Sequence, residues 1–273
     1  MRRRYNFKEY IIMMRSLWTA ASGMVAQQLN VDVISHNLAN VNTTGFKKSR
    51  AEFEDLMYQT MKIAGSITEG DTRLPVGIQV GLGVRPTAVH KFFSQGDFQN
   101  TSNPLDVAIQ GDGFFQVDVN GELMYTRAGA FKLTQDGVVV TANGYILQPE
   151  FTVPPETKNI AISGRGHIAA LDNMGQEIAA AEIPLYNFVN PAGLDSRGNN
   201  LYTPTQASGT ELEGVPGDTN FGTLAQGFLE MSNVEVVDEM VNMIVGQRAY
   251  EVNSKAIQTS DSMLGIAVQL KRS

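Results

Sequence analysis

Ser16 to Asn42 reads SLWTAASGMVAQQLNVDVISHNLANVN, 27 residues with no proline and one formally charged side chain, Asp32. Leu17, Met24, Val31 and Leu38 recur every seventh residue within it, and Ala20, Gln27, Ile34 and Val41 follow each of them by three. That is the a/d spacing by which one helix seats against another. A helix of this length runs about 40 Å at about 1.5 Å per residue. Asn42, Thr43, Thr44 and Gly45 then form a polar stop whose glycine can turn left-handed past the helix end. A lone surface helix carries a charged face, but here Gln27, Gln28, Asn30, Asn37 and Asn40 stand beside the small Ala21, Ser22 and Gly23. Amides hydrogen-bond across an interface without the desolvation cost of ions, and small residues let helices approach closely. A helix packed wholly on its own domain is the alternative reading of the same pattern.

The far end of the chain repeats the design. Val245, Val252, Thr259 and Ile266 alternate with Ala249, Ala256, Met263 and Leu270, and no proline occurs between Phe221 and Ser273. Ser232 and Glu235 are spaced as a capping box for this helix. Between the ends lies chain of a different kind. Asn120-Gly121, Asp136-Gly137 and Asn143-Gly144 separate short apolar runs such as FFQVDV, VVV and YIL. Such pairs tolerate the positive φ of tight hairpin turns, so antiparallel β-structure is expected. The expected fold is therefore α+β: long N- and C-terminal helices forming a coiled-coil pair, with an antiparallel all-β domain inserted between them. The expected divisions are residues 14–60 with 227–273 as a discontinuous helical domain, 61–87 as an extended glycine-containing linker, and 88–226 as the β-domain. Residues 1–13 are expected to be a disordered tail or a mis-assigned start, with translation beginning at Met13 or Met14.

Composition narrows the function. The 273-residue chain carries a net charge of −7, and its first 13 residues contribute +3, so the remainder carries −10. General nucleic-acid binding is disfavoured by that balance. The absence of cysteine rules out disulfides, thiolate metal sites and a cysteine nucleophile. No run approaches the roughly 20 consecutive apolar residues that a spanning helix needs, so no membrane insertion is expected. Asn, Gln, Ser and Thr together number 69 against 49 charged residues, a surface suited to protein contacts. His36, His90 and His167 are scattered and fit no two-histidine metal motif. Gly111-Asp112-Gly113 lacks the third glycine and the βαβ setting of a nucleotide loop. Glu52, Glu54 and Asp55, like Asp238 and Glu239, read as solvated or interfacial charges. No nucleophile stands beside a base. No catalytic residue, no cofactor and no metal is expected, and the chain reads as a non-enzyme.

Three stretches resemble the axial proteins of the bacterial flagellum, the rod and hook family. They are Ser16 to Thr60, DVAIQGDGFFQV (Asp106 to Val117) with YTRAGAF (Tyr125 to Phe131), and Gly227 to Leu264. The run ANVNTTGF, with Asn40, Asn42, Thr43, Gly45 and Phe46, is the motif shared across that family. SLWTAASGM, the YQT leading into a glycine-containing insert, and QRAYEVNSKAIQT are similar to its distal-rod branch, whereas His36 stands where the family more often has Asn. The resemblance implies a structural subunit of the distal rod, polymerising helically into a rigid drive shaft that transmits torque to the hook. Its location would be the basal body, in the rod within the periplasm. Implied partners are other copies of itself, proximal rod proteins, the hook protein, the periplasmic and outer-membrane ring bushing, and the flagellar type III export apparatus. The family reading makes the two terminal seams an assembly interface. It also makes the insert, with Gln59, Gly65, Gly70, Pro75 and Gly77, a rod-stiffening element. A hook or proximal-rod paralogue is the alternative within the family, and an exported cell-wall glycan hydrolase the alternative outside it.

Overall fold

The structure, a computed structural model, describes residues 7–65 and 75–272. Helix α1 spans Phe7–Ala39 and helix α2 spans Val236–Arg272. Helix α1 takes in residues 7–13 of the stretch expected as a tail or mis-assigned start, since Phe7 to Met13 contains neither glycine nor proline to stop propagation from the segment that follows. Residues 1–6 lie outside the described residues. Helix α2 begins one residue beyond the expected capping box, with Asp238 and Glu239 in its first turn, where carboxylates complement the helix dipole. Ser232 instead accepts from Val234 N (3.3 Å), and Asn233 Oδ1 accepts from Lys48 N (2.7 Å), so these side chains tie loops together.

The chain divides into two compact units. The first comprises residues 1–38, 49–90 and 236–273. It contains both helices, the strand Ser49–Asp55 paired with Val84–Lys91, and the hairpin Tyr58–Lys62 with Ile78–Gly81. The hairpin takes residues 61–62 and 78–81 of the linker expected over 61–87, and residues 66–74 lie outside the described residues.

The second unit comprises residues 39–48 and 91–235. Its largest sheet has seven strands in the order Asp195–Gly198, Leu201–Thr203, Glu122–Thr126, Phe115–Val119, Ile146–Gln148, Val139–Thr141, Phe131–Leu133, and every pairing is antiparallel. A three-stranded sheet, Asn159–Ile162, His167–Leu171 and Glu177–Glu182, and three two-stranded ladders complete the unit or pair its segments. Asn120 (φ 56°) and Gly121 (φ 90°) form the expected two-residue hairpin turn between Phe115–Val119 and Glu122–Thr126. Ile109, Phe115, Val117, Leu147, Ile168 and Leu185 lie at the centre of the core, shielded from water, and a second cluster joins Phe114, Tyr125, Tyr186, Phe188, Leu194 and Tyr202.

One backbone approach in this unit admits only glycine. A Cβ at Gly129 would lie 1.7 Å from Val107 O, while Val107 N donates to Gly129 O at 2.9 Å. Gly129→Ala must therefore separate the two backbones and break that bond. The expected loss is about 3 kcal/mol of unfolding free energy, read by urea denaturation. A loss under about 1 kcal/mol would show that the backbone yields freely.

Candidate assembly interface

In the first unit, α1 and α2 meet at residues spaced seven apart. Ser16 Oγ lies 3.1 Å from Ser260 Oγ, and a Cβ added to Gly23 would lie 2.9 Å from Asn253 Nδ2. A Cβ added to Gly246 would lie 3.1 Å from Val31 Cγ2 and 3.7 Å from Asn30 Nδ2. Asn37 Nδ2 donates to Glu239 Oε2 at 3.3 Å. The contacts climb α1 as they descend α2. Positions 16, 23, 30 and 37 thus face 260, 253, 246 and 239, and the meeting surface is small and polar. Asn37 is held further by bonds to Ser49 O (2.7 Å) and from Ser49 N (2.9 Å).

This register lies one residue from the row expected on α2. Gly246, Asn253 and Ser260 turn inward, so Val245, Val252 and Ile266 stand 62%, 65% and 58% exposed. Ala256, Thr259 and Met263 are exposed as well, and Ala249 is half-buried. Val237, Met240, Val241 and Ile244 extend the exposed apolar surface toward the start of α2. On α1, Ala20 and Ile34 are buried, whereas Leu17, Met24, Gln27, Val31 and Leu38 are half-buried; Val41, expected in the same seam, lies in the turn beyond the helix end at Ala39 and is half-buried. The physical reason for the shift is that glycine and asparagine allow a close, hydrogen-bonded approach that β-branched residues would prevent. Gly70 and the side chain of Leu270 lie outside the described residues.

The insert is apolar too. Every residue of Tyr58–Lys62 is exposed, as are Met57, Ile63, Val76 and Ile78. Gln59 accepts from Arg15 Nη1 at 2.8 Å, which ties the hairpin to α1. Gly65 takes φ 82°, Pro75 lies just before the returning strand, and a Cβ at Gly77 would meet Lys62 O at 2.6 Å.

The motif after α1 belongs to the second unit. Thr43 Oγ1 donates to Asn40 Oδ1 (3.2 Å), Phe46 is buried, Asn42 is exposed, and Gly45, at φ 71°, donates its N–H to Glu230 O at 2.8 Å. Beside it lies a buried ionic centre that sequence reading did not single out. Glu230 is withdrawn from solvent and accepts from Lys47 Nζ (2.6 Å), Arg127 Nε (2.6 Å) and Gly96 N (3.0 Å). Lys47 Nζ also donates to Ser94 O (2.7 Å), and Arg127 donates to the carbonyls of Ile109, Gly111 and Gly113. Burial pushes the Lys47 ammonium below its ordinary pKa, an effect that the facing Glu230 carboxylate partly offsets. Arg127 in YTRAGAF and Glu230 in GFLEMS each stand as a lone charge in an uncharged run, whereas Lys47 opens the charged run KKSR and carries no such sign.

Each donor nitrogen of Lys47 and Arg127 has an acceptor within the protein, and the centre is shut off from solvent. Burial raises the pKa of the Tyr125 and Tyr202 phenols, which keeps them protonated and unable to serve as bases near neutral pH. No cluster of three or more potential metal ligands occurs among the described residues. Among them, no helix is long and apolar enough to cross a membrane.

Family models match three stretches of the chain: residues 17–47 as a flagella basal body rod protein, 108–170 as a flagellar hook protein FlgE/F/G D1 domain, and 225–270 as a flagellar basal body rod FlgEFG protein C-terminal region. The chain is 52% identical over 264 residues to the flagellar basal-body rod protein FlgG of Borreliella burgdorferi, covering 95% of this chain and 100% of the relative. It is 47% identical over 261 residues to the FlgG of Caulobacter vibrioides, covering 94% and 100%. It is 33% identical to the flagellar hook-basal body complex protein FlhP of Bacillus subtilis over 268 residues, covering 93% and 98%. With such identity along nearly its whole length, the chain belongs to the FlgG family of flagellar basal-body rod proteins, which are structural components of the rod and not enzymes.

Proposed function

We propose that α1 and α2 form an antiparallel coiled-coil pair whose outward apolar row is covered by further copies of this chain, so that subunits stack helically into the distal rod. The observation that carries this reading is the exposure of Val245, Val252 and Ile266 on a helix whose inward face is occupied by glycine, asparagine and serine. An apolar stripe of this extent on an isolated subunit marks an interface. A contact that does not close on itself, repeated from copy to copy, generates a filament. The helical layer is the inner tube in this reading and residues 88–226 the outer one. The hairpin around Gln59 to Gly77 is the stiffening element. The rod then transmits torque across the periplasm from the proximal rod proteins to the hook protein, turns within the ring bushing, and receives its subunits from the type III export apparatus. Higher identity to the FlgG proteins than to FlhP favours the rod over a hook-complex paralogue. Electron microscopy of the purified full-length protein, concentrated stepwise, tests the proposal. Straight filaments of uniform diameter are expected, and a protein that stays monomeric at every concentration would refute it.

A further inference from the structure

We infer that the Lys47–Glu230–Arg127 centre is a closure lock, by which three segments of the second unit seat together or not at all. Its members come from far apart in the chain: Lys47 and Glu230 are separated by 183 residues, Arg127 and Glu230 by 103. Each member holds a different piece of backbone. Lys47 binds Ser94 O, Arg127 gathers the carbonyls of Ile109, Gly111 and Gly113, and Glu230 takes the N–H of Gly96. The strand Phe228–Glu230 is itself paired with Phe98–Asn100, and Gly45 N binds the Glu230 carbonyl.

The charges make the segments interdependent. Two cations share one carboxylate in a site withdrawn from solvent. If residues 228–230 withdraw, Lys47 and Arg127 are left as buried like charges, an arrangement that low dielectric makes costly. They leave as well, which frees segment 43–48 and the 109–113 loop. Withdrawal of segment 43–48 removes one of the two cations from Glu230 and opens the same site to water. The unit therefore reaches its closed state only when the chain from Lys47 through Glu230 is present and seated. This dependence stands apart from the assembly reading, because it concerns a single copy.

Native-state hydrogen exchange with mass spectrometry, on the full chain and on its Glu230→Gln and Lys47→Met variants, tests the lock. Glu230→Gln keeps the side-chain shape and removes the charge. In that variant, peptides covering 43–48, 107–113 and 127–130 are expected to lose protection together, by about 100-fold. The sheet of His167–Leu171 with Glu177–Glu182 is expected to change less than about 10-fold. Lys47→Met is expected to expose the same three regions, including 107–113, to which Lys47 makes no hydrogen bond. Loss of protection confined to each mutated segment would overturn the inference, as would uniform loss across the unit. If Glu230→Gln yields no folded protein, full protection of 107–113 in Lys47→Met still overturns it.

Discussion

Replacing Arg127 with methionine is expected to lower the unfolding free energy of the second unit by about 3–5 kcal/mol, the range seen when one member of a buried ion pair is removed. The side chain is only 4% exposed, so water does not replace what is lost. Two effects combine. Glu230 keeps Lys47 and Gly96 N but loses its second cation. The carbonyls of Ile109, Gly111 and Gly113 also lose their donor, and an unsatisfied buried polar group costs about 1–3 kcal/mol. Arg127→Lys is expected to recover less than half of the deficit, because one ammonium cannot reach both the carboxylate and three diverging carbonyls as the guanidinium fork does. The triple variant Lys47→Met, Arg127→Met, Glu230→Leu is expected to be more stable than Arg127→Met alone, since no buried charge is then left uncompensated. Urea denaturation with constant m-values measures each difference. An Arg127→Met loss below about 1 kcal/mol would mean that the centre is hydrated in solution.

Placing aspartate at both Val245 and Val252 is expected to abolish polymerisation while leaving the single subunit nearly unchanged. Both positions are largely exposed in the subunit, where surface substitutions shift stability by about 0.5 kcal/mol or less. In the polymer the same positions become covered. Each substitution then forfeits the roughly 1.5–3 kcal/mol of burying a valine and confines a carboxylate in an apolar contact. Because about 1.4 kcal/mol is tenfold in an association constant, the critical concentration is expected to rise at least about 100-fold. Sedimentation of polymer from a concentration series reads that directly, with circular dichroism as the check on the subunit. Filaments forming at the wild-type concentration would move the interface to another face of the helices.

Some of this architecture was legible in the sequence and some was not, for identifiable reasons. The two helices announce themselves by length, the lack of proline and heptad spacing. Asn120-Gly121 announces its hairpin because few other pairs accept positive φ at both positions. The register between the helices was harder to read. Heptad reasoning follows large apolar residues, and on α2 those residues point outward while Gly246 and Asn253, which carry no hydrophobic signal, meet α1 at Val31 and Gly23. The division of the chain differed for a related reason. Residues 39–48 and 227–235 adjoin the helices in sequence but belong to the β-rich unit, held there by Gly45, Lys47 and Glu230. That centre escaped periodic analysis altogether, since Lys47, Arg127 and Glu230 follow no common spacing. Each looks like an ordinary surface charge until the fold brings it beside the others.

The ladder of serine, glycine and asparagine between the helices has a thermal corollary. A subunit built this way keeps its moist side inward and its greasy side toward the solvent, the reverse of a free-standing helical hairpin. Attraction between greasy surfaces weakens on cooling. Chilled subunits should therefore stay dispersed and warmed ones should join, which makes a growing shaft sensitive to the temperature at which its pieces are stored.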